Sequence, residues 1–439
     1  MKRLFAKQPY QSERSPEGRS GFEFSLTHSM LCLLFFLGTY SAFAKTITVD
    51  PAGPVATIAQ ALEIAADGDE ILIRPGTYYE APLRIEKQLH LRGEGFPKID
   101  GDNDAEILII AADGVTVEGL QIQNIGNSYL KDRAGIRVQR KRDFVIRNNR
   151  LINTFFGIYL EYSADGLVED NVILGEAVNE ASSGNAIHAW YCERVKIRNN
   201  EVRRHRDGIY FEFVNNSTVE DNFSAENVRY GLHFMFSNDD TYTNNTFRDN
   251  GAGVAVMFSR RINMINNRFE HNWGRAAYGL LLKEIFDAEI TQNIFDQNTV
   301  GILIEGSNRV NYYENEFRRN GWAIRMSGGC LDNVFTKNNF RSNTLDLVVN
   351  SKVNNNSFHG NYWSEYSGYD LDRDGIGDVP HRPVKLFSFI LSRSPEAIVL
   401  LRSLFVDLVN FAEKVSPVFT PANVLDEKPR MQPVEGSRQ

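Results

Sequence analysis

Apolar and polar residues alternate along most of this chain in short runs, each broken by Gly, Asn or Asp. A glycine opens one such run again and again, at Gly135, Gly157, Gly184, Gly208, Gly231, Gly253, Gly279, Gly301 and Gly321. The first and third residues after it are mostly apolar: Ile136/Val138, Ile158/Leu160, Asn185/Ile187, Ile209/Phe211, Leu232/Phe234, Val254/Val256, Leu280/Leu282, Ile302/Ile304 and Trp322/Ile324. Side chains alternate along a strand, so these positions are expected to point inward, and the second and fourth outward.

Asparagine keeps the same period half a turn away, at Asn149, Asn171, Asn200, Asn222, Asn245, Asn267, Asn293, Asn315, Asn339 and Asn356. Successive gaps are 22 to 24 residues, apart from gaps of 29, 26 and a last one of 17. A fixed period near 22 residues with strands this short predicts an all-β solenoid, one coil per repeat. Stacked coils would line the Asn amides into a ladder at a turn. They would also pile up the rings that follow several of them, Phe247, Phe269, Phe295, Phe317 and Phe358. Leucine-rich repeats share the period, but their L-x-x-L-x-L pattern is absent.

The front end predicts a short amphipathic helix with Ile58, Ala61, Leu62 and Ala65 on one face, followed by a Gly-Asp turn and alternating strands. A helix there would cover the first coil, whose strand edges are otherwise unpaired. This stretch resembles the start of pectate-lyase-like parallel β-helices, and that resemblance implies a right-handed coil. Cys192 and Cys330 then lie six coils apart, roughly 29 Å at about 4.8 Å per rung. A disulfide spans at most about 7 Å between Cα atoms, so both are expected as free thiols.

Beyond residue 384, helical spacing runs through Ile398, Leu401, Leu404, Phe405, Leu408 and Phe411. The expected organisation is an export signal (1–44), a parallel β-helix (45–360), an Asp-rich exit loop (361–383), an amphipathic helical tail (384–424) and a polar, disordered end (425–439). In the signal, Lys2, Arg3, Lys7, Arg14 and Arg19 precede an apolar run, and Ala42 and Ala44 give an A-x-A cleavage pattern. The basic stretch is long, and Met30 is an alternative start. The net charge of −8 argues against a dedicated nucleic-acid binder, and no phosphate-cradling glycine motif is present.

Candidate chemistry sits on the outward positions. The fourth residue after each Gly forms a column: Gln139, Glu161, His188, Glu212, Met235, Met257, Lys283, Glu305 and Arg325. His233 lies beside Met235, and Glu212 is expected to separate His188 from Met235. Thioethers with imidazole suit Cu(I); the bland alternative is an apolar patch that docks a partner. Polysaccharide chemistry is a third reading, with Glu161, Glu212, His205, Arg206, Asp207, Lys283 and Glu305 as candidate groups, though a solvated salt-bridged face explains them more simply. Asp370, Asp372, Asp374 and Asp378, with the Ile376 carbonyl, follow the order of a calcium loop, but His381 stands where the bidentate Glu belongs. A hard cation stiffening the solenoid's exit, or a plain hydrogen-bonded turn, would both fit.

The ordered set "RDGIYFEF", "RYGLHFMFSND", "AGVAVMFSRRI", "NWGRAAYGLLLKEI", "NGWAIRM" and "GNYWSEYSGYDLDRDGIGDVPHRPV" resembles the NosD family, periplasmic maturation proteins of nitrous-oxide reductase. The resemblance implies a non-enzymatic role in denitrification, supplying copper, as transient Cu(I), to that enzyme's centres. It also implies association with an ABC transporter whose separate ATPase subunit provides energy, and with a copper chaperone and apo-nitrous-oxide reductase. His188, His233, Met235 and Met257 are then the expected contacts for copper or its carrier. The helical tail becomes a candidate for docking onto the transporter's membrane subunit, besides packing on the last coil.

Overall fold

The computed structural model describes residues 44–126, 132–181, 183–350, 355–401, 403–415 and 424–435, so the export-signal stretch falls almost wholly outside the described residues. From Lys45 onward the chain is one unit. Each coil passes through short strands of three sheets, and equivalent strands of successive coils pair in parallel. The first sheet runs from Thr46–Val49 to Asn355–His359, the second from Thr77–Tyr78 to Tyr362–Trp363, and the third from Leu83–Ile85 to Leu345–Val349. The molecule is an all-β parallel β-helix, as expected. Its interior is one continuous apolar core between the three sheets.

The glycine at the head of the third-sheet strands has a steric cause. A Cβ on Gly253 would stand 2.3 Å from the carbonyl oxygen of Gly279 in the next coil. In two coils alanine takes this place: Ile187 pairs with Ile158 and Ile209, and Ile324 with Ile302, so Ala186 and Ala323 are equivalent to Gly157 and Gly301. Gly184 and Gly321 fall two residues early. The spacing of glycines alone misplaces those coils.

Between the first and second sheets the asparagines form the expected ladder. Asn222 donates through both its backbone N–H and its Nδ2 to Oδ1 of Asn245, each at 3.0 Å, and its Nδ2 also reaches the Ile197 carbonyl at 2.9 Å. Every amide is thus buried and satisfied at once. The ladder continues from Asn315 to Asn338 and Asn361, not to Asn339 and Asn356. Asn356 belongs to a separate pairing with Asn333, which removes the anomalous last gap. A second ladder, unforeseen from the sequence, joins Asn227, Asn250, Asn272, Asn298, Asn320 and Asn343 between the second and third sheets.

The aromatic stack is corrected in the same way. Phe247, Phe269, Phe295 and Phe317 stack with centroids 4.6–5.5 Å apart, and the column continues through Phe340 to Trp363. Phe358 instead stacks on Phe335, and Phe335 on Tyr312, in a second column under the first sheet. Cys192 and Cys330 are buried free thiols.

The two ends are closed differently. Helix α1 (Ile58–Ile64) starts at Thr57, whose hydroxyl accepts from the Gln60 N–H, and buries Ile58 and Ala61 against the first coil. At the other end α2 (Leu386–Arg393) lies on the outer face of the third sheet, where Phe387 and Leu391 pack with Leu345, Val348 and Trp322. Closure falls to a segment expected to be disordered. Residues 424–435 bridge the last coil through Phe358 and Tyr362, and the buried Asp426 carboxylate accepts from the N–H groups of Gly360 and Asn361, Asn361 Nδ2 and Trp363 Nε1. A polar sequence here reflects the task, because the open end of an amide ladder needs an acceptor.

Asp240 is fully buried, accepts from the Ser217 N–H at 2.8 Å, and lies 3.4 Å from the Tyr242 hydroxyl. Burial pushes its pKa up to about 8, against the pull of those two bonds. The folded state therefore holds a proton that the unfolded chain has released above pH ~4, and stability falls as pH rises from there through 8. Asp240→Asn keeps the acceptor and loses the titration. Its melting temperature relative to wild type is expected to climb between pH 5 and about 8 and level off above, in thermal unfolding followed by circular dichroism. A difference independent of pH would contradict the assignment.

Candidate functional site

The strands Asn185–Trp190, Asp207–Glu212, Tyr230–Met235 and Ala252–Met257 present their outward side chains in two columns set by register. The outer column is Gln139, Glu161, Trp190, Glu212, Met235, Met257, Lys283 and Glu305. Met235 and Met257 are direct partners on adjacent rungs, both half-buried, as the spacing predicts. His188 is not in this column. Because Ala186 holds the marker position, Trp190 stands there, and His188 moves to the inner column of Arg137, Tyr159, His188, Tyr210, His233 and Ala255. Arg325 shifts likewise and pairs with Leu303.

The shift puts the two histidines in one column, two rungs apart. Tyr210 is wedged between them, its ring 4.7 Å from His188 and 4.9 Å from His233. Tyr159 stacks on the far side of His188 at 4.5 Å, and Tyr230 lies tilted against His233 at 4.9 Å. Neither ring nitrogen of His233 has a hydrogen-bond partner, although the residue is only 5% exposed. Its Nδ1 lies 3.9 Å from the Asp207 carboxylate. Asp207 is fully buried; burial raises its pKa, but the fork of Arg229, with His233 beside it, holds the group below the usual carboxylate range.

Other sequence candidates turn out to be structurally employed. His205 is buried in a turn, bonded to Thr154 at 3.1 Å and to the Arg203 carbonyl at 2.9 Å, and burial lowers its pKa to about 4. Glu212 accepts from the Tyr210 hydroxyl and Glu161 sits 3.7 Å from Arg137. Arg206 donates to Asn185, and Lys283 and Glu305 are cross-strand neighbours.

Sequence reasoning missed an exposed aromatic ladder immediately beside the outer column. Tyr162, Tyr191, Phe213, Phe236 and Phe258 stack ring on ring with centroids 4.5–5.2 Å apart. All five have left-handed backbones, φ 49° to 55°, a conformation costly for bulky residues and taken mostly by polar residues at other turns of this chain. The signal was available, since each follows its outer-column residue directly: Glu161-Tyr162, Trp190-Tyr191, Glu212-Phe213, Met235-Phe236 and Met257-Phe258.

In the exit loop, carboxylate oxygens of Asp370, Asp372 and Asp374 lie within 4.8 Å of one another. Asp370 accepts from the N–H groups of Asp374 and Gly375, Asp378 from that of Leu371, and Asp374 from that of Ile376. The loop is knitted to the closing segment, Gly377 N–H donating to the Pro429 carbonyl and Met431 N–H to that of Gly375. In the tail, α3 (Leu404–Val415) exposes Leu404, Phe405, Leu408 and Phe411, and Ile398 is exposed just before it. Leu401 turns inward instead, onto the cluster around Phe387. Among the described residues no helix is long and apolar enough to cross a membrane.

Residues 98–181 and 175–368 match the family model described as "Periplasmic copper-binding protein (NosD)". A relative from Pseudomonas aeruginosa, named "Probable ABC transporter binding protein NosD", is 31% identical over 387 residues, covering 84% of this chain and 90% of that protein. The chain belongs to the NosD family. A NosD from Stutzerimonas stutzeri bearing the same name is 29% identical over 420 residues, covering 91% and 93%. Among solved structures the fold is shared with the Dettilon tailspike protein (TM-score 0.56, 13% identity, 70% of this chain and 69% of that one). It is shared as well with a Yersinia enterocolitica family 28 exopolygalacturonase (TM-score 0.53, 13% identity, 71% and 78%). At that identity the likeness is one of fold. For the copper that the NosD description names, the outer face offers a suitable donor set: two thioethers on adjacent rungs and an imidazole whose buried nitrogens lack partners.

Proposed function

We propose that this chain is a non-enzymatic periplasmic accessory protein that handles copper, as transient Cu(I), for assembly of the centres of nitrous-oxide reductase. Membership of a family described as periplasmic and copper-binding carries this reading. The name shared by its relatives supports partnership with an ABC transporter, which brings its own ATPase subunit. Copper is cargo here, received from a chaperone and passed to apo-nitrous-oxide reductase, and the face bearing His188, His233, Met235 and Met257 is where cargo or carrier makes contact. Soft thioether and neutral imidazole donors favour Cu(I) over hard cations.

Two other features take supporting roles. The exposed apolar side of α3, with Ile398, docks onto the transporter's membrane subunit, where it exchanges water for an apolar partner surface. The carboxylates of Asp370, Asp372, Asp374 and Asp378, with the Ile376 carbonyl, hold one calcium ion that stiffens the solenoid's exit.

A strain lacking this chain is expected to make nitrous-oxide reductase depleted in copper and inactive, measured by metal analysis and assay of the purified enzyme. Full copper content and normal activity would overturn the reading. Phe405→Asp/Phe411→Asp should abolish co-purification with the transporter while leaving the melting temperature within a few degrees; retained co-purification would remove the docking role. Calcium should raise the melting temperature and EDTA lower it, in wild type and not in Asp370→Asn/Asp372→Asn. No calcium response in wild type would leave the loop a plain turn.

A further inference from the structure

The two histidines are not equivalent, and hydrogen bonding says which can bind a metal. Arg206 carries only donors, and its Nη2 lies 3.1 Å from Asn185 Oδ1. That contact fixes the orientation of the Asn185 amide, so the group 3.3 Å from His188 Nδ1 is the donor Nδ2. His188 therefore accepts at Nδ1. With Nδ1 accepting, the proton of the imidazole sits on Nε2. An N–H cannot ligate. That N–H is buried without a hydrogen-bond partner, and the Tyr210 ring stands edge-on to the imidazole at 74°.

His233 is arranged the other way. Its Nδ1 faces the Asp207 carboxylate, and Asp207 is itself locked by Arg229. At 3.9 Å the contact is electrostatic and not a hydrogen bond; a carboxylate on that side favours the proton at Nδ1 and the lone pair at Nε2. The buried Nε2 has no partner in the protein. Met235 lies two residues along the same strand, so both side chains leave the same face, and Met257 is Met235's partner on the next rung. Tyr210 fills the rung between His233 and His188 and keeps the second imidazole away.

We propose that His233, through Nε2, binds Cu(I) together with the thioether sulfurs of Met235 and Met257, that Asp207 is the positioning residue, and that His188 is not a ligand. This rests on the copper-handling reading above and narrows it to one imidazole and two sulfurs.

The test uses the mature protein labelled with ¹⁵N in its histidine rings, titrated with Cu(I) buffered by a chromophoric chelator. Imidazole spectra of the metal-free protein should show His188 protonated at Nε2 and His233 at Nδ1, and Cu(I) should shift the His233 Nε2 resonance and spare His188. His233→Gln and Met235→Leu/Met257→Leu should each weaken Cu(I) binding by about tenfold or more, and His188→Gln by less than about twofold. Asp207→Asn should leave binding weaker and the His233 ring in mixed tautomers, a change that mere loss of packing would not give. Circular dichroism melts identify misfolded variants, and the methionine pair, half-buried and isosterically replaced, keeps the test open if His233→Gln fails to fold. Cu(I) binding that survives both the His233 and methionine changes, or that moves His188, overturns this site and leaves the copper-handling reading standing. No Cu(I) binding by wild type overturns both.

Discussion

A buried asparagine amide that accepts from one neighbour and donates to another is the interaction on which this molecule depends. The three-sheet coil must turn its backbone through the core's edge at every corner, and each turn leaves peptide groups without strand partners. The ladders through Asn222–Asn245 and Asn227–Asn250 supply those partners, one coil serving the next. Removing one side chain would orphan groups on two coils, at roughly 1–3 kcal/mol for each buried donor or acceptor left unmade. The ladder also sets register, because an amide one residue out of place would face the wrong side of the turn. Every outward-facing residue inherits its position from that register.

The solenoid was legible in the sequence because its period is imposed by geometry: strand spacing fixes the coil, and the coil fixes where Gly, Asn and Phe recur. Legibility failed where a residue was identified by type and not by place. Alanine satisfies the close approach at Ala186 and Ala323 nearly as glycine does at Gly253, and counting glycines moved His188 into the wrong column. The doublet Asn338-Asn339 offered two asparagines for one rung, and only the contacts of Asn361 decide between them. Within the candidate face, the Met235–Met257 pairing needed only the 22-residue step between them. The pairing of Asp207 with Arg229 and His233 was hidden, since it depends on rotamers and burial that no spacing records.

Placing polar groups on the outer face of a solenoid usually leaves them in water. Here coils lengthened to 29 and 26 residues enter the strand of His188 and the strand paired with that of Ala255, and Asp207 and His233 are buried although they point away from the core. The Tyr210, Tyr230 and Arg229 side chains enclose them, so a soft-donor site can be dry without being inside the protein. The exposed ladder from Tyr162 to Phe258 runs parallel to it, one residue further along each strand.

The closing segment changes what the apolar helix α3 is. Asp426 reaches back across 65 residues to Asn361, and α2 is seated on the third sheet. α3 in turn packs on the cluster around Phe387 through Val406 and leaves its other side exposed. A partner gripping α3 would bear, through Val406 and Phe387, on Leu345 and Val348 of the last third-sheet strand. Displacement applied there would be delivered to the last coil, so that exposed side would also act as a handle on the protein's spine.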